Sequence, residues 1–478
     1  MFLFLFLFHS LAMELVSIIE NHRDLCDIIR ILHAHGGHCY LVGGTVRDHF
    51  LSIPSHNFDL EVFNLPSARI IELLRGCYEI DMVGKSYGIL KIHGLDIDIG
   101  VPRKEQKCGS LHSDFKVQEE PNLPIEEAIK RRDFTINAVY FDIKNQRIID
   151  PFLGIPDLKK RILRHTSERF GEDPLRVLRG MQFCARFNLT ADPQTIAYCQ
   201  GLSCQRLSAE RIYQEFAKLF LKGVKPSAGL QFLKHTGWTQ FFPEIHQLIG
   251  VQQDPLRHPE GDVFEHTCKT LDVLAQSRTG IEEDDLTLGF ALLCHDFGKP
   301  ATTFKDSRGI HSYWHEIVGI LPARNFMERL RVPKSILLQA LTLAQYHLEP
   351  RRFFKRKASD ADLRHLSYRV RRLDLLAHLA YCDCAGRINN NEKIRDWFLD
   401  KAKALHILKA PQKAIIQGRH LIELGMNPSR DFSKILLKIY FAQLNGDFST
   451  FEDGFALTRK LITSPQFMAD MKEAPHST

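Results

Sequence analysis

The feature that most constrains the fold is a change of pattern near residue 150. Between residues 38 and 150 the chain holds short runs that alternate or are rich in β-branched residues, among them "FDLEVF", "LDIDIGV" and "NAVYFDI". Such runs are typical of strands. Beyond residue 150 almost every long segment repeats its apolar residues at helical spacing. The sequence therefore predicts an α/β head with a mixed sheet, followed by an all-α remainder.

Helical and turn signals divide the chain further. Apolar residues at helical spacing over residues 13–36 open the head, and the Pro- and Gly-rich stretch "QQDPLRHPEGD" at 252–262 marks a later boundary. The expected domains are a head, a helical neck and body, a histidine-rich helical domain and a helical tail, over residues 13–150, 151–250, 251–390 and 391–478.

The apolar N-terminus, "MFLFLFLFHSLAM", is too short to span a bilayer. It also lacks the positive region and the small-residue cleavage site of a secretory signal. We expect residues 1–12 to be an extension or a start assigned too early, with Met13 as the first residue. No other segment is long and apolar enough to cross a membrane, so no membrane partner is expected.

Composition sets weaker limits. The 11 cysteines are scattered without a CxxC pair, which predicts a cytoplasmic protein without a disulfide framework. The 63 Lys and Arg residues exceed the 57 Asp and Glu residues only slightly. This mild basic excess is compatible with a nucleic-acid partner but does not by itself indicate one.

Acidic residues alternate on two of the expected strands. Asp59 and Glu61 flank a leucine, and Asp96 and Asp98 flank an isoleucine. Residues two apart on a strand share a face, where two carboxylates repel one another unless a cation lies between them. Hard divalent cations such as Mg²⁺ favour such oxygen ligands. Three carboxylates from neighbouring strands would suit two metal ions and an in-line phosphoryl transfer.

A glycine turn precedes the first acidic strand. Gly43 and Gly44 allow a phosphate to approach the backbone closely, and Arg47 can neutralise its charge. Either a GG turn or a D-x-E pattern alone is more often part of a surface hairpin. Their ordered occurrence favours a combined phosphate and metal site.

Five ordered motifs identify a family. The stretch "LVGGTVRDHFLSIPSHNFDLEVF" is followed by "RRDFTINAVYFD", "DPFLGIPDLKKRILR", "GEDPLRVLRGMQFCARF" and "ERIYQEFAKLFL". Together they resemble the successive motifs of class II tRNA nucleotidyltransferases, which comprise the CCA-adding enzymes and their bacterial poly(A) polymerase relatives. The resemblance runs from about residue 38 to 390 and implies a nucleotidyltransferase head followed by neck, body and tail.

The resemblance implies roles for residues that match the family motifs. Asp59 matches the first metal carboxylate, Glu61 stands where many members have a second aspartate, and Asp98 matches the third acidic position. The implied cofactor is Mg²⁺ at Asp59 and Glu61. The residues expected to bind the nucleotide are Gly43, Gly44, Arg47, Arg132, Asp133, Asp173, Arg176 and Arg179.

The motif "EDPLR" suggests how the base is chosen. Asp173, Arg176 and Arg179 are three residues apart and share one helix face. In the family the aspartate and the first arginine read the incoming base. Cytosine and adenine offer an amine and a neighbouring ring nitrogen, whereas uracil and guanine would turn a carbonyl oxygen toward the carboxylate. Where the family often has a further arginine, three residues after Arg179, this sequence has Gln182, so a phosphate contact is either lost or supplied by Arg186.

Histidines cluster in the third domain. A single helical histidine is usually structural, but the order of His266, the pair His295 and Asp296, and Asp383 resembles the HD phosphohydrolase signature. Imidazole and carboxylate together suit a divalent metal, whose identity the sequence leaves open. His311, His315 and His347 lie in the same region. The resemblance implies a metal-dependent phosphohydrolase activity.

We therefore expect an enzyme that adds CCA to the acceptor-arm 3′ end of tRNA from CTP and ATP. The alternatives are a partial CC-adding or A-adding enzyme, a poly(A) polymerase, and, in a different class, an HD hydrolase or tRNA-binding protein with an inactive head. The length of the loop at 102–124 and the stretch "VGKSYGILKI" favour complete CCA addition. The oligomeric state is left open.

Overall fold

The computed structural model describes seven segments, which form two compact units, residues 1–246 and 247–478. The described segments are 2–54, 57–83, 89–107, 115–205, 207–384, 391–429 and 431–464.

A mixed sheet forms the centre of the first unit. Within the described residues, β2 (Phe58–Phe63) and β5 (Ile97–Gly100) run parallel to one another, and the other neighbouring strand pairs of this sheet are antiparallel. Within the described residues the strand order is β3-β4-β5-β2-β1-β8-β9. The strands of this sheet are β1 (His38–Leu41), β2 (Phe58–Phe63), β3 (Ile80–Val83), β4 (Ile89–Ile92), β5 (Ile97–Gly100), β8 (Tyr140–Asp142) and β9 (Arg147–Ile149). A separate antiparallel pair is formed by β6 (Arg103–Lys107) and β7 (Phe115–Glu119).

Alternation along β2 separates the core of the head from its polar face. Phe58, Leu60 and Val62 are buried in the main hydrophobic cluster of the head, so the side chains of Asp59 and Glu61 project from the opposite face. The prediction of a mixed-sheet head is confirmed. The helices around the sheet are α1 (Phe2–Glu20), α2 (Arg23–Ala34), α3 (Gly44–Phe50), α4 (Ser67–Leu74) and α5 (Ile125–Lys130).

The rest of the first unit is mainly helical, and α7 packs between α9 and α10. Two short strands, β10 (Ile162–Leu163) and β11 (Thr190–Ala191), pair in parallel. The 3₁₀ turns are Thr135–Asn137, Glu168–Glu172 and Trp238–Phe241. The helices are α6 (Gly154–Lys159), α7 (Leu175–Phe187), α8 (Pro193–Gln200), α9 (Ala209–Lys222), α10 (Pro226–His235) and α11 (Pro243–His246).

The second unit is helical apart from one hairpin of β12 (Thr303–Asp306) and β13 (Gly309–Ser312). Helices α12, α13 and α20 pack on one another and α13 also packs on α17. The helices are α12 (Val263–Gln276), α13 (Glu282–Cys294), α14 (Lys299–Thr302), α15 (His315–Val318), α16 (Ile320–Arg329), α17 (Lys334–Tyr346), α18 (Glu349–Arg356), α19 (Asp360–Val370), α20 (Leu373–Cys384), α21 (Asn391–Ala404), α22 (Gly418–Glu423), α23 (Phe432–Asn445) and α24 (Phe451–Ile462).

None of the helices in the described segments combines the length and apolarity needed to cross a membrane. Residues 2–12 belong to α1, and Ala12 and Leu15 of that helix lie in the core of the head. The finer domain boundaries at residues 150 and 390 stay predictions.

Candidate active site and metal centre

The glycine turn closes over the first acidic strand. Gly43 has φ +61°, in the left-handed region that glycine adopts without strain, and it caps α3. A Cβ on Gly43 would lie 3.4 Å from Asp59 Oδ2, and one on Gly44 would lie 3.5 Å from the same atom. The backbone of Gly44 also hydrogen-bonds the Asp59 carboxylate. The turn therefore holds Asp59 in place and keeps side chains away from it.

Asp59 and Asp98 face the same region from adjacent parallel strands. They are direct partners in the register of β2 and β5. Both side chains are partly exposed, and Lys91 Nζ lies 3.5 Å from Asp98 Oδ1. Burial raises the pKa of Asp59 against the lowering effect of Arg132, and the charge of Asp98 adds to the rise. Two such carboxylates fit a hard divalent cation, which would relieve their repulsion.

Glu61 lies in an ion-pair cluster instead of facing an open cation site. Its carboxylate accepts hydrogen bonds from Arg131 Nη2 at 2.6 Å, from Arg132 Nη2 at 2.5 Å and from the Tyr140 hydroxyl. Only 1% of the residue is exposed. Burial alone would raise the pKa of Glu61, but the two guanidinium groups lower it to about 2. The expected second metal carboxylate is thus neutralised by protein cations, and the structure brings Asp98 to Asp59 in its place.

Arg47 is held inside the protein. Its guanidinium donates to Asp48 Oδ1 at 2.8 Å and to Asn137 Oδ1 at 2.6 Å, and its Cζ lies 4.6 Å from the centre of the Phe187 ring. Only 4% of the residue is exposed. Burial lowers the pKa of the guanidinium while Asp48 raises it. These contacts connect the glycine turn to α7, and they argue against the expected direct phosphate contact.

The motif RRD positions one arginine beside Asp59. A Cβ on Gly43 would lie 3.7 Å from Arg132 Nη1, so this guanidinium borders the turn. Asp133 faces the other way: its Oδ2 accepts from Arg179 Nε at 2.7 Å and its Oδ1 from Asn137 Nδ2 at 2.9 Å. Burial alone would raise the pKa of Asp133, but Arg179 and Asn137 lower it to about 2. Asp133 therefore fixes Arg179.

The expected base-reading residues lie together at the start of α7. Asp173 precedes the helix, where its Oδ1 accepts from the Leu175 amide at 2.8 Å and its Oδ2 from Arg211 Nη2 at 3.1 Å. Arg176 donates from its two terminal nitrogens to the carbonyl oxygens of Arg169 and Arg131, at 2.8 and 2.6 Å. Both side chains are partly exposed, so they can reach a ligand by exchanging these contacts.

Gln182 and Arg186 take internal positions in α7. Gln182 is 3% exposed and its Nε2 has no hydrogen-bond partner. Arg186 Nη2 lies 3.2 Å from Asp48 Oδ2, and its Cζ lies 4.8 Å from the centre of the Phe187 ring. Both alternatives, loss of the phosphate contact and its replacement by Arg186, stay predictions.

Four of the predicted metal ligands meet in the second unit. His266 lies on α12, His295 and Asp296 follow α13, and Asp383 lies on α20. Their exposed fractions lie between 0% and 3%. His266 Nε2 lies 3.0 Å from Asp383 Oδ1, and His295 Nε2 lies 3.2 Å from Asp296 Oδ2. Ligand atoms about 2.1 Å from one ion are about 3.0–3.4 Å apart in octahedral or tetrahedral geometry, so these distances fit a bound metal.

Electrostatics in this cluster also favour a cation. Burial by itself lowers the pKa of His295, but the carboxylates of Asp296 and Asp383 outweigh it and raise that pKa to about 10. The pKa of Asp296 lies well below its usual value despite burial, because His295 and Lys299 are close. The cluster of carboxylates and imidazoles therefore stabilises a positive charge, and either a proton or a metal ion can provide that charge.

Three further residues border the cluster. Glu260 Oε1 lies 2.7 Å from His266 Nδ1, while His315 and His347 approach Asp296 from the other side. Glu260 is missing from the residues predicted from the sequence, because the loop before His266 indicates a domain boundary and its carboxylate has no fixed spacing from the histidine cluster. His311 lies outside the cluster, on β13, 3.1 Å from Asp306.

The backbone after Asp296 closely approaches the backbone at His315, on the other side of this cluster. A Cβ on Gly298 would lie 2.1 Å from the carbonyl oxygen of His315 and 2.7 Å from the amide of Gly319. Only glycine permits this contact, so the segment after Asp296 lies directly against α15.

Two sequence features lie wholly or partly outside the described residues. Residues 108–114 belong to the loop whose length favours complete addition, and residues 84–88 belong to the stretch that distinguishes the CCA branch.

Comparison with known proteins agrees with this architecture. A family model described as the poly A polymerase head domain matches residues 39–164. A second, described as a probable RNA and SrmB-binding site of polymerase A, matches residues 188–249. A multifunctional CCA protein of Mannheimia succiniciproducens is 36% identical over 316 residues, which cover 64% of this chain and 73% of that protein.

Two solved structures share the fold. The CCA-adding enzyme of Bacillus stearothermophilus, solved in complex with CTP, matches with a TM-score of 0.64 and 21% identity over 91% of this chain and 95% of that one. The enzyme of Thermotoga maritima, solved in complex with tRNA, matches with a TM-score of 0.57 and 18% identity over 94% of this chain and 98% of that one.

Proposed function

The chain belongs to the family of CCA-adding tRNA nucleotidyltransferases, and we propose that it adds C, C and A to the 3′ end of tRNA from CTP and ATP in the cytoplasm. The observation that carries this proposal is the pairing of Asp59 with Asp98 beside the Gly43–Gly44 turn. A nucleotidyl transfer needs carboxylates for a divalent metal and an uncrowded backbone for the phosphates, and both lie here.

The residues that hold the metal are Asp59 and Asp98, and Mg²⁺ is the proposed ion. When bound, it supplies activation of the terminal 3′-hydroxyl and charge stabilisation of the departing pyrophosphate. The Gly44 backbone fixes Asp59 through its hydrogen bond. Glu61 acts indirectly: its carboxylate holds Arg131 and Arg132 in place.

Arg132 is the arginine best placed for the triphosphate. Its Nη2 is anchored on Glu61 and its Nε on the Tyr140 hydroxyl at 3.1 Å, while Nη1 borders Gly43 and Asp59. This arrangement leaves one edge of the guanidinium toward the site and pre-orients it for a phosphate oxygen. Arg47 supports the site from behind by joining the turn to α7.

Asp173 and Arg176 choose the base in this proposal. Asp173 accepts from the exocyclic amine of cytosine or adenine, and Arg176 donates to the neighbouring ring nitrogen. The base replaces Arg211 on the carboxylate and one carbonyl on the guanidinium. Uracil and guanine would bring an oxygen against the carboxylate, at a cost of about 1–3 kcal/mol for the unpaired buried groups.

The helical part of the first unit and the residues that follow it hold the tRNA by phosphate and shape contacts. Support comes from the family model for an RNA-binding segment over residues 188–249. The acceptor-arm 3′ end, rather than the tRNA sequence, is the proposed target.

The experiment uses purified protein and three tRNA transcripts that end before CCA, after C and after CC. Each transcript is incubated with Mg²⁺ and CTP, ATP or both, and the products are resolved to one nucleotide. Three additions that stop at A establish the proposed function. Arrest at CC, addition of the final A alone, or a long A tail would replace it with a partial enzyme or a poly(A) polymerase.

A second activity is favoured by the buried cluster in the second unit. Ligand atoms of His266, His295 and Asp296 lie within 4.8 Å of one another, and Asp383 Oδ1 lies 3.0 Å and 3.6 Å from the Nε2 atoms of the two histidines. This set suits a divalent metal in an HD-type phosphohydrolase. We propose that this site hydrolyses phosphate esters, such as a 2′,3′-cyclic phosphate at a damaged tRNA end. With Mn²⁺ or Ni²⁺ supplied, wild type but not His295→Gln should open the cyclic phosphate to a phosphomonoester on the same ribose.

A further inference from the structure

Aromatic side chains of the β12–β13 hairpin form one exposed face. Phe304 and His311 are opposite one another in the strand register, and Tyr313 follows His311 by two residues, so the three rings lie on the same side. The ring centres of His311 and Tyr313 are 5.3 Å apart and their planes differ by 6°. Phe304 and Tyr313 are 45% and 52% exposed. A contiguous group of exposed rings indicates an interaction site, whereas single exposed rings do not.

Trp314 follows the hairpin directly and is 68% exposed. Its φ of +64° lies in the left-handed region, which a bulky residue rarely adopts. Strained backbone of this kind is concentrated at functional sites. The next residue, His315, borders the buried His/Asp cluster, and its Nδ1 lies 2.7 Å from the carbonyl oxygen of Ser312. The exposed rings and the buried cluster therefore share one short segment of chain.

The charge on this hairpin is compensated. Asp306 Oδ2 lies 3.1 Å from Arg308 Nη2, and Asp306 Oδ1 lies 3.1 Å from His311 Nε2. The carboxylate is thus held by neighbouring cationic and polar groups, and its repulsion of an anion that approaches the rings is small.

Helix α18 adds positive charge beside α15. Arg352 Nη2 lies 2.7 Å from Glu316 Oε1, which connects the two helices. Arg351, Phe354 and Lys355 occupy positions i, i+3 and i+4 of α18 and share one of its faces. In the part of the chain that the structure describes, neither Arg351 nor Lys355 has a carboxylate within ion-pair distance. Both cations are therefore available to an anionic ligand.

We propose that the hairpin face, Trp314 and α18 bind an unpaired RNA strand. Bases stack on Phe304, Tyr313 and Trp314. Phosphates contact Arg351 and Lys355. The inference rests on the proposed hydrolase function, because it names the substrate of that site as RNA with unpaired 3′-terminal nucleotides. Aromatic rings beside free cations suit a single strand, since every base has a stacking face and every linkage a negative charge. A second copy of the chain would bring the same positive charges to the contact, whereas RNA brings the opposite charge.

The test measures binding of a uridine octamer to the full chain by quenching of tryptophan fluorescence. Trp314 is the most exposed of the three tryptophans, and Trp238 of the first unit is buried, so quenching reports on this surface. Trp314→Phe should abolish the quenching. Phe304→Ala and Tyr313→Ala should each weaken the affinity by roughly five- to a hundred-fold. Phe451→Ala, which removes an exposed ring of α24, is the matched control and should leave it unchanged.

Salt dependence separates phosphate contacts from stacking. For a single strand, the logarithm of the binding constant falls with the logarithm of salt concentration, with a slope of about −0.7 per phosphate contact. Arg351→Gln and Lys355→Gln should each make the slope shallower by about 0.7, whereas Tyr313→Ala should lower the affinity at an unchanged slope. Lys460→Gln, at an exposed lysine of α24, is the control for charge.

Hydrolysis connects the surface to the buried cluster. Wild type should open a 2′,3′-cyclic phosphate at the end of the octamer with a lower KM than it shows for a cyclic mononucleotide. Tyr313→Ala should raise the KM for the octamer by roughly five- to a hundred-fold and leave the value for the mononucleotide unchanged. Circular dichroism melting of each variant excludes unfolding as the cause.

Other outcomes overturn the inference in distinguishable ways. Equal KM values for the two substrates without quenching would keep the hydrolase and exclude the RNA surface. Quenching without opening of either substrate would refute the hydrolase, and with it the assignment of its substrate, and leave only an RNA-binding surface. Dimers in sedimentation that Trp314→Ala converts to monomers, with RNA binding unchanged, would identify the face as a contact between copies of the chain.

Discussion

The two candidate metal centres place their carboxylates in different surroundings. In the first unit, Asp59 and Asp98 are partly exposed; Arg132 lies near Asp59, and Lys91 Nζ lies 3.5 Å from Asp98 Oδ1. In the second unit, the carboxylates are buried among imidazoles whose outward nitrogens are already hydrogen-bonded. The first design suits a hard ion that keeps water and exchanges with each nucleotide. The second suits an ion fixed by pre-oriented nitrogen ligands.

The comparison of the two centres also shows how a metal-binding carboxylate differs from one that holds neighbouring side chains in place. Glu61 and Asp296 are both buried carboxylates, with exposed fractions of 1% each. Glu61 has its charge matched by two arginines, whereas Asp296 has one lysine, Lys299, 2.7 Å from Oδ2, and among the described residues no lysine or arginine lies within ion-pair distance of Oδ1. Burial alone therefore does not distinguish a structural carboxylate from a metal ligand. The presence or absence of a protein cation at each oxygen does.

The largest expected effect comes from a substitution that removes a metal ligand in the first unit and leaves the cluster in the second unit unchanged. Asp59→Ala should lower nucleotide addition by roughly a thousand-fold, since metal stabilisation of phosphoryl transfer is worth several kcal/mol. Phosphohydrolase activity should be unchanged. Primer-extension and phosphate-release assays on the same preparation measure both. Asp81→Ala, which removes an exposed carboxylate of β3 paired with His93, is the control. Normal addition by Asp59→Ala would refute the metal assignment.

Glu61→Gln tests whether this carboxylate belongs to the scaffold. The variant should destabilise the head by about 3–5 kcal/mol, because it leaves two arginines without their buried counter-charge. Hydrogen exchange of peptides that span β2 and α5 would measure the loss. Unchanged protection together with a higher Mg²⁺ requirement would instead restore Glu61 as a metal ligand.

The same residue predicts a pH dependence. Its pKa falls from an ordinary 4.5 to about 2 in the fold. A depressed carboxyl pKa contributes stability that is fully present above the unfolded value and is lost as the pH falls toward the folded one. The stability difference between wild type and Glu61→Gln should therefore be constant above about pH 5 and shrink between pH 4.5 and 2. Chemical denaturation across this range checks the slope.

Asp173→Asn should relax base choice with little loss of CTP incorporation. An amide can donate to the carbonyl oxygen of uracil, so the preference for CTP over UTP should fall by roughly ten- to a hundred-fold. Single-turnover incorporation of each nucleotide provides the ratio. Asp192→Asn removes a carboxylate that caps α8 and should leave the ratio unchanged. An unaltered ratio in Asp173→Asn would exclude this residue from base selection.

Gly43→Ala should produce the smallest effect. The added Cβ meets Asp59 Oδ2 at an ordinary 3.4 Å, so the cost is chiefly the positive φ, about 1–2 kcal/mol. We expect a several-fold rise in KM for CTP and ATP with a smaller change in kcat. A loss of kcat without a change in KM would show that the turn positions the metal carboxylate rather than the phosphates.

Local patterns predicted what depends on local physics. Alternation placed Asp59 and Glu61 on one face of β2, and the change of period near residue 150 predicted the transition from sheet to helices. The pairing of Asp59 with Asp98 followed from two acidic strands. These features need only the geometry of a strand and the periodicity of a helix.

The sequence could not show which distant residues pack against a given face of a strand or helix. Glu61 meets Arg131, which is 70 positions away, and Arg47 meets Asn137, which is 90 positions away. Each pairing gives an expected ligand-binding side chain a partner inside the protein, and neither leaves a periodic signal in the sequence. Glu260 was missed for the same reason, since its role depends on the orientation of His266.

The contact between Gly298 and His315 has a consequence for how such a chain can vary. Any larger residue at position 298 would displace the backbone of His315, which borders the buried His/Asp cluster, although Gly298 itself has no side chain that could act in a reaction. A single substitution at this position could therefore remove phosphoester cleavage and leave nucleotide addition intact. A descendant with alanine at 298 should keep the ability to finish tRNA ends while losing the ability to repair them.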